Sequence, residues 1–197
     1  MELTKLKEAI ESKHYHKIAD ICDELELQLA ALGIKEPDGW PYSIHLLGHI
    51  YIQDINSARF LWKRIPSSVK ESQPELAAVW KIGQCMWTHD YPGVHCALCD
   101  FNWSPEVQQI INALSESYTK KVFELLLAAY STISVVDTAR FLGMTEEDAI
   151  SYTLQEGWTL DTELQMLTVK RRPVVVDQKL DSSTLQNLTE YVFHLEH

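Results

Sequence analysis

Nine of the twelve histidines and cysteines of this chain fall into three groups whose spacing invites metal chemistry. His45-Leu-Leu-Gly-His49 sets two imidazoles one helical turn apart, the spacing of a metalloprotease helix. That reaction needs a general-base glutamate after the first histidine, and Leu46 stands there instead. His14-Tyr-His16 offers the paired histidines of a metal isopeptidase, but no serine and aspartate follow at the required distances. Cys96-Ala-Leu-Cys99, with His95 beside it and Cys85 and His89 upstream, is half of a zinc site; a structural zinc needs a second such pair. Cysteines on an apolar helix face behave as small hydrophobes, so these are expected to be core thiols. The sequence predicts no metal, no cofactor and no catalytic residue.

Other chemistries find no better footing. The seven glycines are isolated, so no phosphate-cradling loop exists, and no nucleophile elbow is present. Carboxylate pairs such as Glu146/Glu147 lie at expected helix starts, where capping and the helix dipole already explain them. The six tryptophans read as packing residues.

Composition sets the class. Of 197 residues, 46% are hydrophobic and 23% charged, which is the balance of a globular protein. No run of eighteen apolar residues occurs. The opening Met-Glu-Leu-Thr-Lys-Leu-Lys lacks an apolar h-region, so no signal peptide is expected and the chain is expected to stay inside the cell. Its four cysteines are then reduced thiols. A net charge of −11 argues mildly against nucleic acid and anionic membranes.

Helices must do the positioning. Through residue 118 apolar residues recur at intervals of three and four, with almost no strand signal. Pro41, Pro74 and Pro105 stand where a first helical residue belongs, and Ser104 is a natural N-cap. Helices are predicted near residues 2–12, 16–32, 41–53, 56–64, 74–88, 91–99 and 105–130, the last broken near Ser115 to Thr119. Three begin after similar turns: Lys13-His14-Tyr15, Gln53-Asp54-Ile55 and His89-Asp90-Tyr91. From each leading residue, offsets +3, +6 and +7 are again apolar or small: Tyr15/Ile18/Ile21/Cys22, Ile55/Ala58/Leu61/Trp62 and Tyr91/Val94/Ala97/Leu98. Residues 15, 55 and 91 are 40 and 36 apart, near the period of tetratricopeptide-like solenoids, whose stacked units leave a curved surface suited to proteins. Ordinary helices of similar length would give the same echo.

Beyond residue 130 the pattern changes. Ser131-Thr-Ile-Ser134 favours a strand, Ser134-Val-Val-Asp137 caps a helix ending at Leu142-Gly143, and Thr145-Glu-Glu-Asp148 caps a second helix closing at Glu156-Gly157. Trp158–Leu160 and Gln165–Lys170 then form two short strands, a wing; Val174 to Val176 extend it or begin a linker. A helix-turn-helix invites a DNA reading, but its second helix carries Glu146, Glu147, Asp148 and Glu156 and no cation. Lys170-Arg171-Arg172 reads as solvated surface. In the tail, Ser183-Thr-Leu-Gln186 is a capping box, followed by the stripe Leu185, Leu188, Val192 and Leu195 at spacings of 3, 4 and 3. So short a helix is marginal alone, so the stripe packs on a partner or on its own chain.

Helical repeats, a winged helix and a terminal helix in this order resemble the PCI-domain family, the scaffold subunits of the proteasome lid, the signalosome and a translation initiation factor. Ile133-Ser-Val-Val-Asp-Thr-Ala-Arg-Phe-Leu-Gly-Met-Thr-Glu-Glu-Asp-Ala149 followed by Gly157-Trp158 carries the match. Trp40-Pro-Tyr42, Ser57-Ala-Arg-Phe-Leu-Trp62, Trp87-Thr-His-Asp-Tyr91 and Leu188-Thr-Glu-Tyr-Val-Phe-His194 are similar to the smallest, plant-type branch of its signalosome members. The resemblance implies a mainly α fold: a TPR-like repeat region over 1–118 and a winged-helix module over 119–177, together a PCI domain, then a docking helix over 178–197. It implies a non-catalytic scaffold, in cytoplasm and nucleus, of a complex that removes a ubiquitin-like modifier from cullins. Its partners would be other PCI subunits, met through the winged helix and through Leu185, Leu188, Val192 and Leu195, with no nucleic acid, membrane or small-molecule substrate. A winged-helix nucleic-acid regulator and a free-standing repeat adaptor are the alternatives.

Overall fold

The computed structural model describes residues 3–33, 39–170, 186 and 189–193. Eight helices come first: α1 (Leu3–Glu11), α2 (Ile18–Ala31) after a 3-10 turn at Tyr15–Lys17, α3 (Tyr42–Tyr51), α4 (Ile55–Arg64), α5 (Ser67–Ser72), α6 (Pro74–Trp87), α7 (Tyr91–Cys99) and α8 (Pro105–Ala129). The chain is mainly helical, as its 3.6-residue periodicity predicts. Helix α3 is the hub: residues Tyr42 to Ile50 are all buried, and α2, α4, α6 and α8 pack around it. Gly48 makes the approach of α2 close, since a Cβ there would stand 2.8 Å from Ile18 Cγ2 and 2.9 Å from the Ala19 nitrogen.

The three echoed turns share one backbone geometry. Lys13, Gln53 and His89 are all left-handed, with φ of 58°, 63° and 55°. In each, the next amide reaches back five residues: His14 N–H to Ala9 O, Asp54 N–H to His49 O and Asp90 N–H to Cys85 O, at 2.9–3.0 Å. This is the Schellman closure, made here without glycine. Asp54 and Asp90 then cap the following helices, accepting from Ser57 N–H at 3.0 Å and Gly93 N–H at 3.1 Å. His14 makes no such side-chain cap, and the first turn opens into a 3-10 segment before α2. All twelve echoed positions are buried or half-buried.

Two expectations fail. Helix α8 runs unbroken through Ser115 to Thr119, because Leu114, Tyr118, Val122 and Leu126 form one buried stripe at intervals of four that overrides the low propensity of Ser-Glu-Ser-Tyr-Thr. Residue 118, the expected end of the repeat region, therefore lies inside a helix. Helix α5 was not predicted, and none of its residues is buried; Lys70 lies over the Trp62 ring at 4.7 Å, which itself stacks on Trp80 at 5.4 Å.

The remaining elements are β1 (Thr132–Ser134), α9 (Val135–Leu142), α10 (Glu146–Gln155), β2 (Thr159–Asp161) and β3 (Met166–Thr168). The strands form an antiparallel sheet in the order β1-β3-β2, with Ile133 opposite Leu167 and Leu160 opposite the same residue. Gly143, at φ +66°, ends α9 as its position requires. Residues 174–176 lie outside the described residues.

Candidate assembly surface

The terminal unit sits on α7 and α8 through an aromatic junction. Phe123 of α8 stacks on Trp158 and meets Tyr152 edge-on, both at 5.2 Å; such pairs contribute about 0.5–1.5 kcal/mol beyond their burial. His95 Nε2–H donates to Phe141 O at 3.2 Å, and Tyr91 meets the Phe141 ring at 5.8 Å. Burial pushes the His95 imidazole below its usual range, and the bond to Phe141 offsets part of that shift. Gly143 lies directly against the His95 ring.

The outward face of this unit is acidic. Glu146, Glu147, Asp148 and Glu156 are all exposed. Thr145 Oγ1 accepts from Asp148 N–H at 3.2 Å and donates to its Oδ2 at 2.7 Å, so the first-turn carboxylates belong to a cap and its helix dipole. Arg140 and Lys170 are exposed too, and Arg171 and Arg172 lie outside the described residues. Val136 and Leu154 add exposed apolar area, and β1 and β2 are the edges of the sheet. A groove of about 920 Å³ runs between α8 and α10, floored by Phe123, Leu127 and Tyr152 and rimmed by Glu116, Lys120 and Glu156.

Of the tail stripe, Leu185, Leu188 and Leu195 lie outside the described residues. Val192 is described, on a helical stretch at 189–193, and is 54% exposed between Tyr191 at 69% and Phe193 at 61%.

The sequence's metal candidates fare unevenly. Cys22 is buried, its thiol pushed up to about 12 by burial and by Asp23, but Cys96 and Cys99 are exposed rather than core thiols. They lie on the outer face of α7 while Val94, Ala97 and Leu98 take the core, and they gather no ligand set among the described residues. His45 and His49 behave otherwise. Both are buried on α3, and both meet Asp23 of α2, a residue that the sequence did not single out.

Comparison with known proteins decides the family. Residues 36–178 match the CSN8/PSMD8/EIF3K family. The chain belongs to that family. Over 197 residues, the whole of both chains, it is 56% identical to a protein of Arabidopsis thaliana named COP9 signalosome complex subunit 8. A protein of the same name from Xenopus laevis is 35% identical over 198 residues, again the whole of both chains. One from Danio rerio is 34% identical over 91% of this chain and 96% of its own. The CSN8/PSMD8/EIF3K match spans α3 through β3, so the hub helix, the aromatic junction and the sheet all fall within it, while α1 and α2 are covered by the full-length relatives.

Proposed function

We propose that this chain is a non-catalytic scaffold subunit of the signalosome, acting in cytoplasm and nucleus within the complex that deneddylates cullins. The 56% identity running the full length of the Arabidopsis subunit carries this reading. On it, β1, α9, α10 and the β2–β3 hairpin act as a winged-helix module that meets other PCI subunits along an edge. Residues 1–118 supply a TPR-like surface, and residues 178–197 join a shared bundle through Leu185, Leu188, Val192 and Leu195. The isopeptidase chemistry belongs to another subunit. The exposure of Val192 supports the tail assignment, and the exposed carboxylates of α10 weigh against duplex DNA.

The tail provides the test. Burying a leucine or valine is worth roughly 1.5–3 kcal/mol, so Leu188→Asp with Val192→Asp removes several kcal/mol from whatever surface the stripe covers. The double variant is expected to drop out of the complex while its own melting temperature stays within a degree or two of wild type. Co-purification at full stoichiometry would exclude the tail as the docking element. The isolated chain is expected to leave a neddylated cullin intact; cleavage by it would contradict the non-catalytic role.

A further inference from the structure

We propose that Asp23, His45 and His49 form a binding site for a divalent transition metal, with zinc the best match, clipping α2 to α3. The ligand atoms already converge. His45 Nε2 lies 2.9 Å from Asp23 Oδ1, His49 Nε2 lies 3.4 Å from the same oxygen, and the two Nε2 atoms are 3.2 Å apart. Zinc bonds of about 2.0–2.1 Å in a tetrahedron place ligand atoms about 3.3 Å from one another. The observed sides of 2.9, 3.2 and 3.4 Å lie on either side of that value, the shortest about 0.4 Å below it. Two imidazole nitrogens and a carboxylate oxygen are also a donor set zinc takes, whereas magnesium and calcium require oxygen throughout.

The setting favours a ligand over a chance contact. His45 is fully buried and His49 nearly so, among Leu46, Leu47 and Ile50 in the hub helix. Two imidazoles in such a place cost free energy unless their nitrogens are used. A neutral pair of rings has no good arrangement of its own: two Nε2–H groups would compete for one oxygen and face each other at 3.2 Å. If one ring instead carries its proton on Nδ1, that atom is buried without a partner among the described residues. The spacing between the helices is fixed, because Gly48 lets the Ile18–Ala19 backbone approach α3 one turn from His45 and next to His49.

Access and coordination number follow from the surroundings. Asp23 is half-exposed and, with His49, lines a cleft that also takes in Glu26, Ser57, Phe60 and Arg64. Water entering by the cleft supplies the fourth position. Glu26 is held by Arg64 at 2.6 Å, and Leu46 follows His45, so no general base stands over the ion. The site is a structural clip and performs no hydrolysis. The missing base that excludes a peptidase leaves the two histidine ligands intact. Among the described residues neither Nδ1 has a partner, and the loss of such outer hydrogen bonds lowers metal affinity on the order of 10–100-fold. Reversible binding weaker than a finger-type site is therefore expected.

The test uses the full chain carrying Cys96→Ser and Cys99→Ser, so that exposed thiols do not take the metal. After chelator treatment and dialysis, Zn²⁺ is titrated by calorimetry, with Co²⁺ absorption reporting the coordination geometry. One equivalent of Zn²⁺, a tetrahedral Co²⁺ spectrum, a melting temperature raised by several degrees and no response to Mg²⁺ are expected. Asp23→Asn is a half-exposed, isosteric change that keeps a hydrogen-bonding group but loses the anionic ligand. It is expected to weaken Zn²⁺ at least ten-fold while the metal-free melting temperature stays close to that of the parent. His49→Gln, checked for its fold by circular dichroism, is expected to abolish the Co²⁺ spectrum. Unchanged Zn²⁺ affinity in Asp23→Asn, or less than one equivalent bound by the folded parent, overturns the proposal.

Discussion

At Gly143 two constraints meet, a backbone at φ +66° and the His95 ring, which an added Cβ would overlap. Gly157 shares the left-handed backbone, at φ +87°, but its nearest neighbour is the flexible Lys170 side chain at 3.6 Å. Gly143→Ala therefore combines left-handed strain with overpacking, roughly 2–4 kcal/mol together, whereas Gly157→Ala carries strain alone, about 1–2 kcal/mol. Urea unfolding of the two variants side by side checks the difference; equal losses would mean that His95 yields freely. His95 itself makes the junction sensitive to acid. Its folded-state proton affinity is depressed by burial, so the unfolded chain binds more protons as pH falls. The contribution is fully present above about pH 6.5 and is lost as pH drops below it. His95→Asn is expected to shrink the fall in urea midpoint between pH 7.5 and 5.5, and a variant with an undiminished fall would clear His95 of the effect.

Individual helices record which parts of the sequence decide structure. The turns at Lys13, Gln53 and His89 were legible as an echo because a two-residue polar turn precedes apolar residues at similar offsets, and all three adopt one left-handed closure. Since a non-glycine residue is disfavoured in that conformation, Lys13→Gly is expected to stabilise by up to about 1 kcal/mol, read as a rise in melting temperature. The caps at Ser134 and Thr145 were legible for a similar reason, since short polar side chains leave a local signature, whereas Asp54 and Asp90 read only as turn residues. Helix α8 was not. Its polar middle suggested a break, but the break would have unpaired Tyr118 from the stripe it shares with Leu114 and Val122. Ser117 is exposed, so Ser117→Pro tests continuity without touching the core; a continuous helix loses about 3 kcal/mol or more, and a broken one would tolerate it. Helix α5, six residues without a buried side chain, gave no periodicity to read. The meeting of Asp23 with His45 and His49 depends on α2 packing against α3 at Gly48, a tertiary fact that spacing along the chain does not carry.

For the whole molecule, the helical array and the terminal unit share one core, since α8 passes through both and Phe123, Trp158, His95 and Phe141 knit them together. What such a body leaves outward is an acidic helix face, two short sheet edges and the exposed apolar residues Tyr191, Val192 and Phe193. The full-length likeness to proteins named signalosome subunits supports assembly with other signalosome subunits, and on the proposed reading these are the surfaces offered to them. The fold class and the family resemblance were readable in the sequence because the strand-helix-Gly-helix-Gly-Trp run from Ile133 to Trp158 is local. The most direct measurement is affinity purification of the tagged chain from its native cells, followed by quantitative mass spectrometry of what co-elutes. A multi-subunit complex is expected, with other PCI subunits and the isopeptidase present at one copy per copy of this chain. Elution of the chain alone, or with nucleic acid in place of stoichiometric protein partners, would contradict the account.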